Sequence, residues 1–223
     1  MKKLIIILAI LAFCGSTAYA MDMSKHIGFG AWAGGIMPIN GKYDSQDKMS
    51  DVVGMYGFPA AEIKYVIMDK VTVGANFGYM YMPIKNDWKE KNLSGLKDLT
   101  PALNMPFVSL NGTFNFGPMM KAEGNKLNPF ATAGVGMYMW YFSENERTNK
   151  QKVGEEEFKA SSLGINFGAG AEYFVREKIS VFGRLNYHYV MMKNKDKFGE
   201  DFANQGFLTF GAGATYYLFT GKK

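Results

Sequence analysis

The sequence predicts an all-β chain folded as an eight-stranded antiparallel up-and-down transmembrane β-barrel. Three observations carry this expectation: two-residue alternation in eight segments, a bulky apolar face set against a face rich in Gly and Asn, and connections of alternating length. Alternation marks strands because side chains switch faces at every residue. From Leu163 to Val175 one face reads Leu163, Ile165, Phe167, Ala169, Ala171, Tyr173 and Val175. The other reads Gly164, Asn166, Gly168, Gly170, Glu172 and Phe174. A soluble sheet would carry Lys, Glu and Thr on its wet face. Small residues opposite bulky apolar ones suit a barrel with lipid outside and a narrow lumen within.

In chain order, the first element is a cleaved secretory signal over residues 1–20. Lys2 and Lys3 form its charged region, Leu4 to Phe13 its apolar run, and Ala18-Tyr19-Ala20 its small-x-small cleavage site. That run is too short for a spanning helix, which needs roughly 20 residues. A lipoprotein reading of Leu11-Ala12-Phe13-Cys14 places the large Phe13 just before the cysteine to be modified. Residues 21–223 remain as one domain. Cleavage removes the single cysteine, and with it any disulfide or thiol chemistry, and lowers the formal charge from +5 to +3. The remaining basic residues are scattered among acids, which argues against nucleic-acid binding.

The strands follow. The first, about His26–Pro38, puts Ile27, Phe29, Ala31, Ala33 and Met37 on one face. The second, about Gly57–Ile67, does so with Pro59, Ala61, Ile63, Tyr65 and Ile67. The third, Val71–Ile84, uses Val71, Val73, Ala75, Phe77, Tyr79 and Tyr81, and the fourth, about Phe107–Gly117, uses Val108, Leu110, Phe114 and Phe116. The fifth, Pro129–Phe142, carries Ala131, Ala133, Val135, Met137, Met139 and Tyr141. Leu163–Val175 is the sixth. The seventh, Ile179–Met192, carries Ile179, Val181, Leu185, Tyr187 and Tyr189. The eighth, Phe207–Phe219, carries Leu208, Phe210, Ala212, Ala214, Tyr216 and Leu218.

Long polar loops follow strands one, three, five and seven: 40–55, 85–104, 143–161 and 193–205. Three-residue turns, Met68-Asp69-Lys70 and Arg176-Glu177-Lys178, follow strands two and six, and a longer turn spans 118–128. Long loops at one end and short turns at the other place the loops outside and both termini in the periplasm. Tyrosine falls late on rising strands (Tyr79, Tyr81, Tyr141, Tyr187, Tyr189) and late on falling ones (Tyr65, Tyr173, Tyr216). These positions make two aromatic girdles at the two headgroup layers. A lipocalin-like soluble barrel would instead need a charged exterior.

The polar face carries four clear charges: Glu62, Lys64, Glu172 and Arg184. Pairing Val175 with Ile179 sets Gly170 opposite Arg184 and Glu172 opposite Phe182, so Glu172 and Arg184 become diagonal neighbours. A charge-balanced cluster is therefore expected in the periplasmic half of the lumen, as a structural plug or as a gate. His188 faces the lumen above Arg184 and Asn186 and opposite Asn166, while His26 is expected in solvent. The doublets Gly134-x-Gly136, Gly168-x-Gly170 and Gly211-x-Gly213 lack the third glycine and following helix of a phosphate loop. They are read as room for Trp32, Phe58, Phe130, Tyr138, Trp140 and Phe182. No Ser-His-Asp grouping assembles, so catalysis is not expected. Two histidines, and Asp44, Asp47 and Asp51 without calcium-loop spacing, give no metal site and no cofactor.

Pro129-Phe-Ala-Thr-Ala-Gly-Val-Gly-Met-Tyr, Phe167-Gly-Ala-Gly-Ala-Glu-Tyr and Gly213-Ala-Thr-Tyr-Tyr-Leu-Phe219 together resemble the small outer-membrane β-barrel domain family, like the OmpX and OmpA membrane domains and the OmpW proteins. The resemblance covers nearly all of the mature chain and implies location in the bacterial outer membrane. It implies insertion by the barrel-insertion machinery, through a closing aromatic here followed by Thr220–Lys223. A lumen filled by aromatics and the charge cluster favours a structural or surface-interaction role through the long loops, while the likeness to the OmpW proteins implies the alternative, a narrow channel for small or hydrophobic solutes. A lipid-modifying enzyme is the weakest reading. Lys85, Lys193 and Lys195 lie just above the upper girdle, where lipopolysaccharide phosphates would sit, and a host or cell-surface ligand is a further expected kind of partner.

Overall fold

The computed structural model describes residues 24–92, 100–117, 126–145, 149–150, 152–153, 156–193 and 200–219. The signal and its cleavage site, Lys195 and the Thr220–Lys223 tail lie outside these residues. Eight long strands form one closed meander: β1 (His26–Asn40), β2 (Tyr56–Met68), β3 (Val71–Pro83), β4 (Ala102–Asn115), β5 (Leu127–Asn145), β6 (Lys159–Arg176), β7 (Ile179–Val190) and β8 (Gln205–Phe219). Each pairs antiparallel with its chain neighbour, and β8 closes on β1 from His26↔Phe219 to Asn40↔Gly206. The eight-stranded transmembrane barrel expected from the alternation is the fold observed.

The two faces divide as the side-chain period requires. Leu110, Val135, Leu163, Phe167 and Leu185 stand exposed on the outside, while Trp32, Phe58, Tyr138, Trp140 and Phe182 are buried within. A continuous exposed apolar band is the surface a barrel presents to acyl chains. An eight-stranded barrel leaves an interior just wide enough to be filled by side chains, and glycine provides the room. A Cβ on Gly164 would lie 2.7 Å from the Tyr138 ring, and one on Gly170 2.6 Å from the Phe130 ring.

Three features differ from the sequence reading. β4 begins at Ala102 rather than near Phe107, since Leu103 and Met105 carry its lumen face through Pro106. The ladder tolerates that proline by a gap: β4–β5 pairing stops at Asn104↔Tyr141 and resumes at Phe107↔Tyr138. Proline has no N–H to contribute there. A similar break occurs beside Pro59, where the β2–β3 ladder starts only at Ala60↔Gly78. Above it the walls meet again through Val53↔Ile84 and Gly54 N donating to Pro83 O at 2.9 Å.

The short turns are also tighter than three residues. Ile179 faces Arg176 rather than Val175, and a bulge then restores Phe182↔Glu172 and Arg184↔Gly170. A bulge takes up the extra residue and increases local twist. Lastly, the first two long loops are not purely irregular. They hold the short helices α1 (Met49–Val52) and α2 (Asn86–Asn92). Among the described residues no helix is long and apolar enough to cross a membrane.

Candidate functional site

The four lumen charges lie together, joined by a different pairing from the diagonal one. Arg184 Nη2 on β7 donates to Glu62 Oε2 on β2, and Lys64 Nζ on β2 donates to Glu172 Oε1 on β6 at 3.0 Å. Lys64 also lies 3.3 Å from Glu62 Oε1. β2 faces β6 and β7 across the lumen, and long side chains bridge this narrow bore. Phe182, Glu172's partner in register, stands beside Arg184 instead. The guanidinium is 4.6 Å from the Phe182 ring and 4.3 Å from the Trp32 ring, an arrangement that favours a cation on desolvated aromatic faces.

Two further residues complete the cluster. Ser180 Oγ and Tyr217 OH (the latter at 2.7 Å) both donate to Glu172 Oε1, which thus accepts three bonds. Tyr217 and Ser180 sit on the lumen phase of β8 and β7, a parity visible in the sequence. Ser180 reaches Glu172 across the ladder of adjacent strands β6 and β7, and Tyr217 reaches it from β8, one strand further on. His26 is also buried rather than solvated, with Nδ1 3.1 Å from Ser24 O. Its even position in β1 points it into the periplasmic mouth.

Above the charges lies a neutral polar layer. His188 Nδ1 is 2.9 Å from Tyr138 OH, and Nε2 is 3.1 Å from Thr209 Oγ1, so both ring nitrogens are engaged. Asn166 and Asn186, also buried, each leave one amide atom without a protein partner, as do Asn76 and Asn111. Higher still the lumen is apolar: Ile36, Phe58, Met80, Met82, Leu103, Met105 and Trp140 are buried in one contiguous cluster.

The loops extend this cluster into a cap. Met49, Val52 and Val53 come from the first loop, and Phe202 from the last; Trp88 and Phe158 pack against them. Tyr43 meets Trp88, Phe142 and Phe202 edge-on at 5.5, 5.8 and 6.2 Å. Burial raises the Tyr43 phenol above its ordinary pKa, and Asp44 and Asp47 add to the effect. The first-loop acids serve the loop itself. Asp44 accepts from the Gln46 and Asp47 amides, Asp47 from Trp88 Nε1 and Asp51 from the Lys48 amide. Sequence reasoning missed this cap. Its signal was the apolar and aromatic residues set within otherwise polar loops. Among the described residues no group of His, Cys, Asp and Glu could hold a metal.

All eight girdle tyrosines lie on the outward phase of their strands. Tyr65 and Tyr216 are exposed, while Tyr79, Tyr81, Tyr141, Tyr173, Tyr187 and Tyr189 are half-buried. Upper ones also make hydrogen bonds near the rim: Tyr187 OH accepts from Asn40 at the end of β1, Tyr189 OH accepts from Asn204 in the last loop and Tyr79 OH donates to Asn104 on β4. Of the lysines read as facing lipopolysaccharide, Lys85 is exposed, yet its ammonium donates to Ser50 O at 2.6 Å, and Lys193 is exposed at the top of β7.

No protein-family model matches the chain, and no curated protein does. Solved structures do. Neisserial surface protein A is 12% identical with a TM-score of 0.56, covering 85% of this chain and 96% of its own. A major outer-membrane protein of Thermus thermophilus is 12% identical at 0.50, covering 86% and 99%. The outer-membrane protein AlkL, determined in lipid bilayers, is 11% identical at 0.50, covering 93% and 96%. With its apolar exterior, tyrosines toward both rims and filled lumen, this chain has the fold of the small eight-stranded outer-membrane β-barrels.

Proposed function

We propose that this barrel is closed to through-flow and acts as a structural or surface-interaction protein of the outer membrane, through its long extracellular loops. The observation that carries this reading is a lumen filled at three levels: an ion-paired cluster, the Tyr138–His188–Thr209 layer, and the apolar column with its loop cap. Buried charges persist only when paired, and these four pair with one another. The loops carry the residues free to meet lipopolysaccharide or a cell-surface ligand, and β8 is the strand that would meet the insertion machinery. Engagement of both His188 nitrogens speaks against a catalytic histidine.

A second reading, a narrow path for small or apolar solutes, is favoured by one observation. The β2–β3 ladder is broken over Tyr56–Pro59 beside the apolar half of the lumen. Single-channel recording of the refolded protein in planar bilayers, alongside Arg184→Ala, separates the two. A folded, silent wild type supports the closed barrel. Stable openings that the variant alters would replace it with a channel gated by the charge cluster.

A further inference from the structure

The outer wall of β1–β4 is not evenly filled. An open groove of about 650 Å³ runs along its periplasmic half, walled by Ile27, Ile63, Tyr65, Val73, Leu110 and Gly112, with the strand backbone between them as its floor. All six are on the lipid-facing phase. Gly112 accounts for the depression: a Cβ built there would meet nothing within 4 Å, and its register neighbour on β5 is the small Ala133. At this depth the surroundings are acyl chains, so the groove takes a chain rather than water.

The groove is also charged at its foot. Lys25 precedes Ile27 by two residues, and Lys70 precedes Val73 by three. Both are exposed at the periplasmic rim. Their backbones are fixed there: Lys25 N donates to Val66 O at 2.7 Å, and Asn115 N donates to Lys70 O at 2.8 Å. Asp69 of the same turn is an opposing charge, which leaves the pair of lysines in excess. A basic pair beneath an apolar furrow complements an anionic headgroup with its chain above.

We propose that this groove binds an anionic glycerophospholipid of the inner leaflet, with one acyl chain along the Gly112 furrow and its phosphate against Lys25 and Lys70. The site lies on the outside of the barrel and does not depend on whether the lumen conducts.

The test places the refolded barrel in mixed bilayers of phosphatidylglycerol and phosphatidylcholine with matched chains, then releases it for native mass spectrometry. The wild type should retain one phosphatidylglycerol. Lys25→Gln with Lys70→Gln should lower that headgroup preference about thirtyfold, the weight of two surface lysines against an anionic layer. Gly112→Leu should abolish retention of either lipid. Gly183→Leu is the control: this lipid-facing glycine on β7 is also unobstructed, its nearest neighbour Gly211 O at 3.9 Å, and it should retain lipid as the wild type does. Heat-modified gel mobility verifies folding of every variant. Equal retention of both lipids by the wild type, retention unchanged in Gly112→Leu, or equal loss in Gly183→Leu would each overturn the proposal. So would a bound second copy of the chain in place of lipid.

Discussion

Arg184 and Glu62 stand 122 positions apart in the chain yet share a charge-assisted hydrogen bond across the barrel lumen. Each is nearly buried, with side chains 7% exposed, so neither has water to fall back on. Removing Arg184 leaves Glu62 only its longer 3.3 Å contact with Lys64, which Glu172 also claims. Arg184→Ala should therefore cost about 3–5 kcal/mol of stability. The double change Glu62→Gln with Arg184→Met should cost clearly less than the sum of the single changes. Urea unfolding in a lipid or detergent host measures both, and additive losses would mean that the pair is not coupled.

The layer above behaves differently because it is neutral. Tyr138→Phe removes the hydroxyl beside His188 Nδ1 and leaves that nitrogen buried without its partner. The expected loss is about 1–3 kcal/mol. Coupling the change to His188→Phe should recover part of that loss, since the orphaned Nδ1 is then gone and Thr209 Oγ1 still donates to Asn186 O at 3.4 Å. Recovery is read from the same unfolding curves.

Gly170 in the lumen and Gly112 on the lipid face should respond oppositely to a methyl group. At Gly170 a Cβ would fall 2.3 Å from Gly183 O and 2.6 Å from the Phe130 ring, while at Gly112 it meets open space. Gly170→Ala should destabilise by about 1–3 kcal/mol, as overpacking does. Gly112→Ala should be neutral or slightly stabilising, because alanine has less unfolded-state freedom. Equal effects at the two sites would refute the assignment of faces.

On the outer side, Glu157 accepts from Lys159 and, at 3.1 Å, from Lys150. These hydrogen bonds, that from Lys159 first, hold its carboxyl below the usual carboxylate range. A depressed folded-state pKa means a contribution that is present above the unfolded value, about 4.3, and lost as pH falls through the folded one. Carboxyl NMR titration should show Glu157 protonating below the ordinary glutamate value, and Lys159→Gln should move it back toward that value. Glu157→Gln should remove the acid-range loosening of β5–β6, seen by amide exchange.

Much of this was legible in the chain because the side-chain period of a strand is two. Leu163–Val175 sorts its residues into lipid and lumen without any knowledge of neighbours, and the same parity placed Trp32, Trp140 and Glu62 inside. The register between β6 and β7 was also readable, since adjacent strands joined by a short turn have few alternatives. That Glu172 faces Phe182 followed from this, even though a bulge absorbed the residue at the turn.

Parity and turn length act locally, and they alone determined the fold class, the strand count and which residues share the lumen. Only the closed tertiary structure decided how those residues pair. The diagonal neighbours Glu172 and Arg184 find partners on β2, because curvature brings opposite walls within one side-chain length. The loop cap formed for a related reason. Met49, Trp88, Phe158 and Phe202 have no strand period to announce them, and they meet only because closure gathers four loops over one apolar opening.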